Sequence, residues 1–124
     1  MRTLLDELSS WASTLELDDV PDRVVALARS QVLSQLGSAR VGMSHPVGGS
    51  LQRALGRPLQ DDPDRSACVL AGLTSCLHQD GFAFAGLLSS SVVPFAFPYA
   101  TPLELSSGDW LRAVIPRADW AARS

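Results

Sequence analysis

Apolar residues return along this chain with helical spacing. Leu4, Leu5, Leu8, Trp11, Ala12 and Leu15 follow an i, i+1, i+4, i+7, i+8, i+11 pattern, which gathers them on one face of a helix. Thr3 is placed to cap its start, with Asp6 and Glu7 in the first turn, where the helix dipole favours negative charge. Asp18-Asp19-Val20-Pro21 closes this helix and opens a second, Pro21 being suited to a first turn. The second helix carries Val24, Leu27, Ala28, Val32 and Leu36 on one face and is predicted to end near Gly42. Residues 43–50 hold turn formers and read as a loop, followed by a short helix over Ser50–Leu55 that Gly56-Arg57-Pro58 breaks. Asp61-Asp62-Pro63-Asp64 then caps a helix from about Pro63 to Leu77. Its small residues Ala67, Ala71, Gly72 and Ser75 admit close neighbours and mark it as the central element. Val92, Val93, Phe95, Phe97 and Tyr99 alternate partly as a strand does, but Pro94 and Pro98 argue against a central strand. The last helix is opened by Ser106-Ser107-Gly108-Asp109 and carries Leu111, Val114 and Ile115 on one face. The expectation is an all-α fold, a compact bundle of five or six helices in one domain spanning residues 1–124.

Composition narrows what such a bundle can do. An apolar share of 46% supplies a real core. A net charge of −3 offers no basic field for phosphates, so a nucleic-acid partner is not expected. All 10 basic residues are arginine, which leaves no lysine for a Schiff base or a tunable ammonium. No apolar run reaches membrane-span length, and the acidic, amphipathic opening MRTLLDELSS does not read as a signal peptide. Cys68 and Cys76, eight residues apart on one helix, cannot reach each other; two buried free thiols fit a cytoplasmic location. They lack further ligands nearby, so no zinc site is expected, and no glycine pattern announces a nucleotide. No cofactor is expected. His45, in the 43–50 segment, reads as a surface histidine.

Three stretches together resemble the helical domain of the MmgE/PrpD family, the 2-methylcitrate dehydratases and their relatives. Asp19-Val20-Pro21 before a helix looks like that family's acidic residue followed by Val/Leu-Pro. Val32-Leu33-Ser34-Gln35-Leu36-Gly37, with Gly42 beyond, is similar to its I-L-D-x-L-G helix end, with Ser34 in the aspartate position. Ser107-Gly108-Asp109-Trp110-Leu111 resembles the S-G-x-x-L start of a later helix. The same resemblance implies a helix over the segment that holds Pro94, with Pro94 in its first turn, and Ser89-Ser90-Ser91 read as its cap. Between them, Ser75-Cys76-Leu77-His78-Gln79-Asp80-Gly81 falls where the family has an acidic, catalytic break; Asp80 keeps a carboxylate and His78 stands where another would be.

The resemblance implies a lyase, or an isomerase or cyclase, that moves a proton beside a carboxylate or carbonyl of a small biosynthetic intermediate. It makes His78 and Asp80 the catalytic candidates. A histidine titrates near neutrality and a neighbouring carboxylate orients it. Phe82, Phe84, Phe95, Phe97 and Tyr99 cluster within eighteen residues. They read either as core or as an apolar pocket, with Phe82, Phe84 and Tyr99 as substrate-binding candidates. Family members carry a second domain and associate through the helical one. The resemblance therefore implies a homo-oligomer, or a separately encoded second domain, as partner. The competing expectation is a non-catalytic helical module that only dimerises or pairs with another subunit.

Overall fold

The computed structural model describes the backbone of residues 3–77, 82–83, 86–87, 89–100 and 102–123, and the side chains of 3–7, 9–77, 93–100 and 102–115. The fold is all-α. Six α-helices follow one another among the described residues: α1 (Leu4–Thr14), α2 (Asp22–Gly42), α3 (Pro46–Leu55), α4 (Pro63–Ser75), α5 (Ser89–Ala96) and α6 (Ser107–Arg123). A single 3-10 turn over Leu17–Asp19 separates α1 from α2. Between α4 and α5 a two-residue antiparallel ladder pairs Phe82 with Leu87 and Ala83 with Gly86.

Most helix starts are written locally. Thr3 and Asp6 form a reciprocal capping box at α1. The Asp62 carboxylate accepts from the backbone N–H of Asp64 (3.0 Å) and Arg65 (3.1 Å), and Pro63 fills the first helical position of α4. Ser106 and Asp109 repeat the box at α6, Asp109 N–H donating to Ser106 Oγ (3.1 Å) and Ser106 Oγ–H to Asp109 Oδ2 (2.6 Å).

Helix α4 is the centre, packed against α2, α3 and α5. Val69 and Leu73 are fully buried and join Leu70 and Ala39 in a core that Leu51, Leu55 and Phe97 close over. Val32, Val93 and Val114 knit α2, α5 and α6. Val20, Ala28, Leu111 and Ile115 form a third group under the 3-10 turn. Arg112 hooks α6 to the end of α1, its Nε donating to the Leu15 carbonyl at 2.8 Å.

Four sequence readings need correction. The 43–50 segment is not a loop: α3 starts at Pro46, with His45 as its N-cap accepting from Val47 N–H at 3.3 Å. Its glycine has a packing reason rather than a turn reason, because a Cβ at Gly48 would run into the Gly42 carbonyl and the Leu73 side chain. Leu27 does not join the inward face of α2. The buried arc runs through Ala28, Val32, Gln35 and Ala39, and Leu27 stands outside it, 70% exposed. Pro94 lies in the second turn of α5, not its first, and Ser89-Ser90-Ser91 form that first turn rather than a cap before it. Cys68 is exposed and Cys76 partly buried, so neither is a core cysteine; both are free.

Candidate functional site

An apolar groove of about 380 Å³ opens on the described surface. Its floor and walls are Phe95 and Tyr99 at the end of α5, Leu103 and Leu105 on the turn that follows, and Trp110 and Ala113 on α6. The turn is shaped by Glu104, whose φ of 52° is left-handed, a conformation that costs a side-chain-bearing residue about 1 kcal/mol or more. Backbone bonds from Leu103 to Tyr99 (3.1 Å) and from Leu105 to Ala100 (2.9 Å) hold the turn closed, so both leucines line the groove.

Aromatic packing sets the walls. The Phe95 and Tyr99 rings lie 5.3 Å apart with a 36° tilt. Trp110 meets Phe97 edge-on at 5.9 Å and 81°. The indole Nε1 of Trp110 is shielded from solvent and finds no hydrogen-bond partner among the described residues.

The polar end of the groove is Tyr99. Its hydroxyl donates to the carboxylate of Asp64, in the first turn of α4. That bond raises the Tyr99 pKa above the ordinary phenol range, with desolvation and the charges of Asp64 and Asp62 adding to it. The phenol is therefore held protonated and fixed as a hydrogen-bonding group rather than poised as a base. A second, wider cleft of about 440 Å³ lies between the end of α1 and the start of α2, edged by Trp11, Asp19 and Arg23 over Ile115.

Of the sequence candidates, Tyr99 lines the apolar groove. His78, Asp80 and Phe84 lie outside the described residues. Phe82 belongs to the short ladder, with its side chain likewise outside them. The groove adds residues that sequence reasoning did not select: Leu103, Leu105, Trp110 and, through the hydroxyl bond, Asp64. Trp110 carried a signal, an indole within an otherwise regular amphipathic helix. Asp64 carried none, since it is 35 positions from Tyr99. Among the described residues no three His, Cys, Asp or Glu side chains gather as a metal ion requires, and no helix is long and apolar enough to cross a membrane.

No family model matches this chain, and neither a curated protein nor a solved structure shows significant similarity to it.

Proposed function

We propose that this chain is a reduced helical domain of the MmgE/PrpD type, a lyase or isomerase/cyclase that uses acid–base chemistry on a small, largely apolar biosynthetic intermediate. The observation that carries the reading is the groove beside Tyr99: its size falls in the range of small-molecule sites, its walls are apolar, and a fixed phenol–carboxylate pair stands at one end. Such a site holds an apolar body by burial and orients it by one polar contact. The resemblance supplies the chemistry, with His78 and Asp80 accepting the proton beside a carbonyl and protonating the group that leaves or shifts. With no lysine in the chain, a covalent imine route is not part of the reading. A cytoplasmic setting belongs to the same proposal, since Cys68 and Cys76 are free thiols.

Solvent exchange tests this directly. The protein is incubated in deuterium oxide with a panel of apolar carboxylic acids and ketones, and deuterium incorporation beside the carbonyl is followed by NMR. Exchange is expected for at least one member and falls roughly 10²–10⁴-fold in Asp80→Asn or His78→Ala, the usual worth of a general acid or base. Undiminished exchange in both folded variants refutes these residue roles.

A second reading, a non-catalytic helical association module, has its own observation. Leu4 and Leu5 of α1 are 71% and 74% exposed, and Leu27, Leu33 and Val41 of α2 also face outward. These faces look for a cover, in the form of a second copy or a separately encoded domain.

A further inference from the structure

We infer that the ligand of the Tyr99 groove carries a protonated amine: an apolar body with one primary or secondary ammonium that hydrogen-bonds to Asp64 beside the Tyr99 hydroxyl. The inference rests on the proposed reading of this groove as the substrate site. It narrows that reading to an amino ketone rather than a carboxylic acid.

The hydrogen-bond inventory at the polar end of the groove carries the argument. The Tyr99 proton is committed to Asp64 Oδ1, so toward a ligand the phenol oxygen can only accept. Asp64 Oδ2 receives no hydrogen bond among the described residues, and an ionised carboxylate is acceptor-only. Two acceptors and no donor therefore stand at that end. A ligand carboxylate finds no partner there, whereas an N–H finds two.

Charge then selects a cation over a neutral donor. None of the described residues that line the groove is basic. Arg65, next to Asp64 in the chain, lies 3.5 Å from Asp62. Arg112 donates to the Leu15 carbonyl and pairs with Glu16 and Asp109. Asp64 is thus left without a countercharge among the described residues. Its field reaches the phenol: after the hydrogen bond itself and desolvation, the charges of Asp64 and Asp62 raise the Tyr99 pKa. An ammonium at this point meets opposite charge. The Phe95 and Tyr99 rings, 5.3 Å apart, add aromatic surface, which attracts cations. A carboxylate in the same place is repelled. At the ~4 Å of direct contact, even well-solvated charges separate the two ligands by roughly tenfold or more in affinity.

Calorimetric titration of the full chain with three probes on one phenylalkyl body tests the inference: phenylpropylamine, phenylpropionate and the neutral ketone benzylacetone. Phenylpropylamine is expected to bind roughly tenfold tighter, or more, than phenylpropionate, and the preference should shrink as salt is raised. Asp64→Asn keeps an acceptor for the Tyr99 hydroxyl and removes the charge. It should erase the preference, lowering affinity for the amine, raising it for the carboxylate and moving benzylacetone least. Ala113→Phe, at an exposed helical position on the groove wall, should weaken all three. Phenylpropionate bound as tightly as the amine, or a preference that survives Asp64→Asn, overturns the amine and leaves the groove reading standing. If no probe binds at millimolar concentration, or Ala113→Phe changes none of them, the groove is not the ligand site. The reading on which the inference rests then falls with it.

Discussion

Replacing Gln35 with methionine should make this protein more stable. Gln35 is 2% exposed on α2 and lies among Leu36, Ala39, Leu70, Thr74, Val93, Pro94 and Phe97, beside a space of about 10 Å³; the Thr74 hydroxyl is already committed to the Ala71 carbonyl at 2.8 Å. Its Oε1 is buried with no hydrogen-bond partner among the described residues. An unpaired buried carbonyl costs about 1–3 kcal/mol, because the folded state loses water's hydrogen bonds and gains none. Methionine has nearly the same length and volume and no such oxygen. Its flexible thioether can settle into the adjoining void. After allowance for imperfect repacking, the net gain is about 1–2 kcal/mol. For a chain of this size that raises Tm by roughly 4 °C per kcal/mol. Urea melts at fixed protein concentration, with an unchanged slope, give the free energy directly. Gln35→Ala serves as the control and should destabilise, since it removes packing along with the amide. A loss of about 1 kcal/mol or more in Gln35→Met would refute the reasoning. It would mean that the amide is satisfied after all, for instance by a water in the void, which sits near the volume one water needs.

Leu73→Ala should cost about 3–5 kcal/mol in the same melts, because Leu73 is fully buried at the centre of α4 and neighbours Gly48 too closely for the site to collapse. Low pH should fray α1 and α6 first. The Asp6 carboxyl is held below its ordinary pKa by bonds from the Thr3 backbone and hydroxyl, and that of Asp109 by bonds from the Ser106 hydroxyl and backbone, with Arg112 adding to it. A lowered folded pKa gives stability that is present above the unfolded value and lost as pH falls through the folded one. Helical circular dichroism should therefore decline below about pH 4, and less steeply in Asp109→Asn. Tyr99 is the single tyrosine of the chain, so alkaline ultraviolet titration reads it alone. Its phenolate should appear only above about pH 10 and return toward the ordinary range in Asp64→Asn. The sign for stability is opposite to the carboxylates: the Tyr99–Asp64 contribution is complete below the ordinary phenol pKa and fades as pH rises through the raised one.

What could be read from the chain alone was what neighbouring residues decide. Thr3 with Asp6, Asp62 before Pro63, and Ser106 with Asp109 are caps whose partners lie within three positions, and each helix they open starts where expected. The small residues of α4 marked it as the helix others crowd. Errors arose where distant packing decides. Gly48 looked like a turn former, but its reason is the Gly42 carbonyl on another helix. Leu27 fitted an apolar stripe by spacing, yet the buried arc is set by where α4 and α6 lie against α2. The resemblance implied Pro94 in a first turn; it sits in the second turn, buried. For the groove, spacing picked out the aromatic cluster but could not pair Tyr99 with Asp64, since a contact across 35 positions exists only once α4 and α5 pack.

The two functional readings rest on different parts of the molecule, and that separation makes them independently decidable. The groove is built by the end of α5, the 102–105 turn and the start of α6; the outward-facing leucines of the association reading lie on α1 and α2. None of Leu4, Leu5, Leu27 and Leu33 lines the groove. If the chain associates through these leucines, Leu33→Arg should therefore change mass without altering solvent exchange at low protein concentration, provided the site is complete within one chain. If Leu33→Arg removes exchange as well as association, the site needs the partner, and catalysis and association are one property of the assembly.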